Sequence, residues 1–289
     1  MIHRLCIFGV GLIGGSLAKA LRSASAVDSI IGCGRTEANL VRAVELNVID
    51  EYTLDPAIAV ADADMIVVAA TLGATRSIFE QITEHIAPTA IVTDVGSAKA
   101  RVVDAARVCL GGNFSQFVPG HPIAGTEKSG VEAAFATLFR DHRVILTPLV
   151  ETNRDALKVV FEMWRVTGAD VIEMAVRHHD EVLAATSHLP HMLAYALVDC
   201  LAESDESNEI FTYAAGGFRD FTRIASSDPA MWCDIAIENR DALLSALNSF
   251  TVTYGKLFSA LESNDRDQLL RIFTRAKNAR EGAMRKIPE

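Results

Sequence analysis

Four short polar clusters carry the residue types that catalysis draws on, and each follows or interrupts an apolar run. The first is Gly120-His-Pro-Ile-Ala-Gly-Thr-Glu-Lys-Ser-Gly130, entered from Phe117, Val118 and Pro119 and left through a helical pattern at Val131, Ala134, Phe135 and Leu138. Its polar groups fall where a buried strand gives out, the place where α/β sheets keep their chemistry. His121, in this loop between Gly120 and Pro122, offers an imidazole that titrates near neutrality and so suits a general base. The second cluster is Thr93-Asp-Val-Gly-Ser-Ala-Lys99. Ser97 is there either the N-cap of the next helix or a hydroxyl presented to a reacting group. The third, Ser187-His188-Leu-Pro190-His191, puts two histidines on one helical face, but no third ligand follows at matching spacing and no metal is expected. Pro190 removes a backbone N–H and frees the carbonyl near Thr186, which predicts a kink. In the fourth, Arg219 and Arg223 share a helical face beside Gly216-Gly217 and among Phe218, Phe221 and Ile224. Solvation is the common fate of such a pair. A partly buried guanidinium would instead need an anion, and a substrate carboxylate bound bidentately would serve.

The elements that must position these groups begin at Leu5 to Phe8, an apolar run followed at once by Gly9-Val-Gly11-Leu12-Ile13-Gly14 and then by a helical segment from Ser16 to Leu21. Between a strand and a helix, the first glycine makes the turn, the second admits a pyrophosphate and the third lets helix and strand pack closely. The helix N-terminus offers free N–H groups to the phosphates. This is a dinucleotide site. The second strand, Ser29 to Cys33, ends in Gly34-Arg35-Thr36, where a carboxylate would normally hold the ribose 2′-hydroxyl of NAD. With no acid to repel a 2′-phosphate, and Arg35 and Thr36 available to bind one, NADP is the expected cofactor. If Arg35 is only a solvated helix-start residue, NAD binds instead.

Further alternation predicts helix 37–46, strand 65–69, helix 75–85, strand 90–94, helix 99–110, strands 117–119 and 143–146, helix 154–167 and strand 170–173. Strands rich in Ile and Val with little alternation are buried on both faces, as in a parallel sheet. Residues 1–174 thus read as a doubly wound α/β domain. From Ala175 to Ile287 the pattern is helical, with breaks near Ser204–Ser207, Gly216-Gly217, Ser226–Pro229 and Ser263–Asp265, so 175–289 is expected to be an all-α domain. Asp228-Pro229 marks a helix start. Leu243, Leu247, Phe250, Tyr254, Leu257 and Leu261 then recur in steps of four and three, a seam for another helix and, we expect, for a second copy of the chain.

Composition excludes other classes. Of 289 residues, 27 are Lys or Arg and 37 Asp or Glu, a net charge of −10 with no long basic run, which argues against a nucleic acid partner. Glycines break the N-terminal apolar run, and Asp62 and Asp64 break the one near Val60, so neither export signal nor membrane span is expected. Five scattered cysteines without a C-x-x-C pair read as reduced, mostly buried thiols of a cytoplasmic protein.

Taken in order, G-V-G-L-I-G-G-S-L-A at 9–18, D-V-G-S-A-K at 94–99, H-P-I-A-G-T-E-K-S-G at 121–130, S-H-L-P-H at 187–191 and G-F-R-D-F-T-R-I-A-S-S-D-P-A-M-W at 217–232 resemble the prephenate and arogenate (cyclohexadienyl) dehydrogenases. The resemblance implies a Rossmann domain, a helical dimerisation domain and a homodimer. It also implies oxidative decarboxylation of a cyclohexadienol in tyrosine biosynthesis: prephenate to 4-hydroxyphenylpyruvate, arogenate to tyrosine. By matching position, His121 would take the ring hydroxyl proton and Ser97 would hydrogen-bond to His121 or to that hydroxyl. Arg223 would bind a substrate carboxylate, His191 would orient the ring, Thr126 and Glu127 would lie at the pocket mouth, and Arg219 would support. Gly34 departs from the aspartate of NAD-preferring members. The alternatives are a β-hydroxyacid dehydrogenase, whose lysine-centred motif is not found, an imine reductase, and a silent NADP-sensing regulator, which would have no use for Ser97, His121 and Arg223 together.

Overall fold

Two apolar faces of one parallel sheet organise residues 1–240. The computed structural model describes residues 1–205 and 207–284. The first part of the chain alternates β1 (Ile2–Phe8), α1 (Leu12–Ser23), β2 (Val27–Cys33), α2 (Glu37–Glu45), β3 (Glu51–Thr53), α3 (Pro56–Val60), β4 (Met65–Val68), α4 (Leu72–Ile82), β5 (Ile91–Asp94), α5 (Ala100–Cys109) and β6 (Phe117–Val118). The six strands pair in parallel in the order β3-β2-β1-β4-β5-β6. Successive residues serve opposite faces, as the two-residue period of a strand requires. Leu5, Ile7, Met65 and Val67 enter one core, while Cys6, Phe8, Ile66 and Val68 enter the other. Both faces are covered, so the strands are apolar throughout.

The order reverses between β1 and β4, and the register aligns Phe8 with Val68 and Val68 with Asp94. The ends of β1, β4 and β5 therefore share one edge. β3 and α3 were not anticipated. Three residues on the sheet's flank, none of them buried, leave almost no pattern, though Asp55-Pro56 is a start signal, with Asp55 Oδ1 accepting from Ala57 N at 2.9 Å.

The next three strands lie outside the six-stranded parallel sheet of the doubly wound domain. β7 (Gly120–Pro122), β8 (Arg143–Leu146) and, after α6 (Arg154–Arg165), β9 (Asp170–Glu173) form a separate sheet. β7 runs antiparallel to β8, and β8 parallel to β9. Pro119 and Pro122 lack the donors to continue the first ladder, and the chain changes partner between them. His121 therefore sits on a strand opposite Ile145, not in a loop. The helical pattern after Gly130 is realised only as a 3-10 turn, Val131–Ala133; the chain then docks on α1 through Phe135 N to Ser16 Oγ (3.1 Å) and Lys19 Nζ to the Ala134 carbonyl (2.8 Å).

Helices follow: α7 (Val176–Leu183), a π-helical turn (Ala184–His188), α8 (Leu189–Ala202), α9 (Ser207–Thr212), α10 (Gly216–Thr222) and α11 (Pro229–Glu238). The π-turn stands where Pro190 was expected to disturb the ladder. Asp228 caps α11, accepting from Met231 N at 2.9 Å. Trp232 and Ile235 of α11 enter the second core of the sheet. That burial is why the compact unit runs from Met1 to Arg240, past the boundary expected at 174/175, although strands do cease at Glu173.

The second compact unit begins at Asp241 and, among the described residues, takes in most of α12 (Arg240–Glu262) and all of α13 (Arg266–Met284). The break at 263–265 is as expected, with Asn264 left-handed and Asp265 Oδ1 accepting from Gln268 N. Ile287, the expected end of the helical half, lies outside the described residues. All five cysteines are free, but Cys200 and Cys233 are exposed, a correction to mostly buried thiols.

The glycine turn yields a contrast. At Gly14 a Cβ would lie 2.4 Å from the Gly9 carbonyl oxygen and 2.9 Å from Ile7, whereas at Gly11 it would meet nothing within 4 Å. Gly14→Ala should cost about 1–3 kcal/mol of unfolding free energy through overpacking. Gly11→Ala should leave stability nearly unchanged and weaken dinucleotide binding. Denaturant melts and cofactor titration check both, and equal destabilisation by the two would contradict the division of roles.

Candidate active site

At the end of β5 a buried ion pair holds the residue before His121. Lys99 is fully buried, and its ammonium pairs with the Asp94 carboxylate and donates to the Gly120 carbonyl at 2.6 Å. Asp94 accepts in turn from Gly96 N at 2.8 Å and Gly120 N at 3.2 Å. Both polar groups of the Gly120 backbone are thus gripped by one pair. Burial lowers the Lys99 pKa, opposed by the adjacent Asp94.

Asp180, on α7, supplies the second grip. Its carboxylate accepts from Lys99 N, Ala100 N and His179 Nδ1, each at 2.8 Å. The start of α5 is therefore capped by a carboxylate distant in sequence. This corrects the N-cap reading of Ser97, which is half-buried in the turn ahead of the helix, whose N-cap position is Lys99. Burial would raise the Asp180 pKa, but the three donated hydrogen bonds hold it below the usual carboxylate range.

His179 in turn meets His121, Nε2 to Nδ1, at 2.9 Å. The hydrogen-bonded partner of His121 is therefore His179, not Ser97. Burial pushes the His121 pKa well below its ordinary 6.5, reinforced by His179, Lys99 and His188, which corrects the expected near-neutral value. Burial likewise lowers His179, though its bond to Asp180 opposes the shift. His188 is pushed down to about 4 by burial, and its Nδ1 meets Asn239 Nδ2 at 3.0 Å; the same amide donates to the Asp180 carbonyl at 2.9 Å.

His191 donates through Nδ1 to the Ser187 carbonyl at 2.9 Å and stacks on Trp232, with centroids 3.5 Å apart. Its pKa is lowered by burial, the Ser187 bond opposing and Arg223 reinforcing. Arg223 is mostly exposed, against the partly buried guanidinium anticipated, and its anion is Glu127. Thr126 and Glu127 occupy an exposed loop where Thr126 Oγ1 accepts from Lys128 N at 3.2 Å. Arg219 is exposed one turn before Arg223. The structure thus gathers His121, His179, Asp180, Lys99 and His188, leaves His191 on Trp232 and Arg223 on Glu127, and does not join Ser97, His121 and Arg223 in one hydrogen-bonded cluster. His179 and Asp180 were missed because they read as helix-surface residues; two polar groups at buried positions of an amphipathic helix were the available signal.

Along the same sheet edge a cleft of about 870 Å³ is lined by Gly9, Gly11, Gly34, Arg35 and Thr36, with Ala69, Ala70 and Thr71 after β4. Gly9 has φ +89, and a Cβ there would lie 2.6 Å from the Ala69 carbonyl oxygen. Leu12, Ile13 and Gly14 do not line the cleft; Leu12 and Ile13 pack on the core, and Gly14 is buried against Gly9 and Ile7. Asn39, Arg42 and Glu132 also line it and were not anticipated. Arg42 donates to Glu132 at 3.2 Å and to Glu45 at 3.0 Å. The glycine cradle, the start of α1 and the cationic far end fit a dinucleotide.

Fold and cleft together are those of a nicotinamide-dependent oxidoreductase. Comparison with known proteins narrows the class. The family model for the prephenate dehydrogenase nucleotide-binding domain matches residues 17–173, and that for the prephenate dehydrogenase dimerization domain matches 175–275. The chain is 37% identical over 282 residues to a cyclohexadienyl dehydrogenase of Zymomonas mobilis, covering 97% of this chain and 96% of that one. Among solved structures it is similar to the Aquifex aeolicus prephenate dehydrogenase in complex with hydroxyphenyl propionate and NAD+ (TM-score 0.91, 36% identity, 98% and 99% coverage). It is also similar to Synechocystis arogenate dehydrogenase (TM-score 0.80, 28% identity, 97% and 99% coverage). The chain belongs to the prephenate dehydrogenase family, which sets aside the β-hydroxyacid dehydrogenase, imine reductase and silent-sensor alternatives.

The buried histidines have a consequence for stability. His121, His179 and His188 are lowered in the folded chain, so below pH 6.5 the unfolded chain binds more protons. Their contribution is complete above that value and is lost as pH falls toward the folded values, at up to about 1.4 kcal/mol per pH unit for each. The denaturant midpoint should therefore drop between pH 7.5 and 5. A constant midpoint would mean that these rings are already ionised when folded.

Proposed function

We propose that the chain catalyses NAD(P)-dependent oxidative decarboxylation of prephenate, arogenate or both, giving 4-hydroxyphenylpyruvate and tyrosine respectively. The observation that carries this reading is a buried, neutral imidazole on β7, tied through Gly120 to Asp94 at the end of β5, in a chain of this family whose β1 and β4 ends carry the dinucleotide cleft. The bound nicotinamide supplies a hydride acceptor for the ring carbon bearing the hydroxyl. Loss of carbon dioxide aromatises the ring, so the driving force lies in the substrate, and the protein has to orient, deprotonate and bind anions.

His121 takes the hydroxyl proton. Ser97 hydrogen-bonds to that hydroxyl from the turn after β5. His191, its Nδ1 committed to Ser187, turns Nε2 toward the ring. Arg223 binds a substrate carboxylate, which takes the place now held by Glu127, and Thr126 and Arg219 support the pocket mouth. NADP is the preferred cofactor, because Gly34 carries no carboxylate and Arg35 and Thr36 line the cleft beside it; NAD is the alternative. Chains pair as homodimers through α12, where Phe250, Tyr254 and Leu261 are 37%, 54% and 59% exposed. The free cysteines suit the cytoplasm, and no helix among the described residues is long and apolar enough to cross a membrane.

One assay offering prephenate and arogenate with NAD and NADP tests the reading: turnover of at least one pair is expected, with 3-hydroxyisobutyrate inert, and the reverse would remove it. His121→Asn should retain substrate binding and lose about 10²–10⁴ in kcat, the range for a general base. A near-normal rate would exclude that role. A Cβ at Gly34 would meet only Leu40, at 3.7 Å, so Gly34→Asp is accommodated and should shift preference toward NAD. An unaltered cofactor ratio would make Arg35 a bystander.

A further inference from the structure

His121 is buried among positive or potentially positive neighbours: Lys99, His179 and His188. An isolated imidazole there is a good proton acceptor in geometry and a poor one in energy. What it has beside it is His179, whose other nitrogen is bonded to an ionised carboxylate, and both contacts are short and shielded from water.

The hydrogen-bond directions follow from one end. Asp180 already accepts from Lys99 N and Ala100 N, is ionised and can only accept, so His179 Nδ1 carries the proton between them. His179, when neutral, then has a bare Nε2, which must accept from His121 Nδ1–H. His121 is left with its lone pair on Nε2, the tautomer a base requires. Lys99 and Asp94 press on the same pair, Lys99 against a positive charge on His179 and Asp94 and Asp180 in favour of it.

We propose that His179, held by Asp180, is the second half of the base: it fixes the His121 tautomer and stores the proton during the reaction. The inference rests on the functional reading above. As the ring carbonyl forms, the hydroxyl proton bonds to His121 Nε2, the His121 Nδ1 proton passes to His179 Nε2, and the positive charge comes to rest beside Asp180. When the carbon–carbon bond to the departing carboxylate breaks, its electron pair restores the aromatic ring. Both protons then move back, and the phenol keeps its hydrogen. No proton is gained or lost over the cycle, so the store needs no exit to water. His179 is a positioning residue, since only His121 meets the substrate.

His179→Gln separates the two duties. A carboxamide oxygen can still accept from His121 Nδ1–H, but it cannot hold the proton. Asp180 is left intact, so the cap of α5 survives. The variant should keep KM within about threefold and lose about 10–100-fold in kcat. The acid limb of its pH–rate profile should move down by about one unit, because the proton affinity of the pair exceeds that of His121 alone. His179→Phe, which can neither accept nor store, should lose more. Nitrogen-15 shifts of the histidine rings in the free protein should give the Nδ1–H tautomer for His121 in wild type and His179→Gln, and a mixture in His179→Phe. A His179→Gln enzyme with wild-type kcat and pH profile would overturn the storage role, and an Nε2–H tautomer for wild-type His121 would overturn the chain itself. Wild-type protein that turned over neither substrate would remove the functional reading, and with it the reaction the pair serves. Wild-type turnover with an indifferent His179→Gln would remove the role of the pair alone.

Discussion

The Asp180 carboxylate is the constraint on which the site depends. Buried on α7, it accepts three hydrogen bonds at 2.8 Å, two from the start of α5 and one from His179. Hydrogen bonds to an ionised group contribute about 1.5–3 kcal/mol each, against a desolvation cost of several kcal/mol for burying the charge. The balance is favourable only with all donors in place. That single group therefore fixes where α7 meets α5, how the His179 ring is turned and, through it, how His121 is presented.

A second constraint acts from the other side. Lys99 and Asp94 hold the N–H and carbonyl of Gly120, so the strand carrying His121 cannot slide or twist relative to β5. The imidazole is thus held by its backbone from the sheet and by its ring from the helices. Low-dielectric surroundings keep the histidines neutral, which makes them acceptors at rest and makes any proton they receive expensive unless a carboxylate is near. Reactivity and acid sensitivity have the same origin.

The cofactor cleft is built on different physics. It uses a backbone turn that only glycine fits, the free donors of the α1 start and a few cations at the far end, all set by the strand register along one sheet edge. Arg223 and Glu127, by contrast, form an exposed pair, where screening by water keeps the interaction weak.

The parallel sheet, the glycine turn and the capped start of α11 were legible in the chain itself, because each rests on local geometry: strand period, φ preference, a cap followed by proline. The change of sheet after Val118 was only half legible. Pro119 and Pro122 mark a break, but not which strand waits beyond it. What the linear order could not disclose was the wiring. Asp180 is 80 residues from the Ala100 amide it caps, and His179 is 58 from the ring it meets. Hydrogen bonds of that kind are chosen when two surfaces close and exclude water, since only then does a buried donor have to find its acceptor. The residues that could do chemistry were determined by the sequence, and their pairing and protonation were decided by burial in the folded chain.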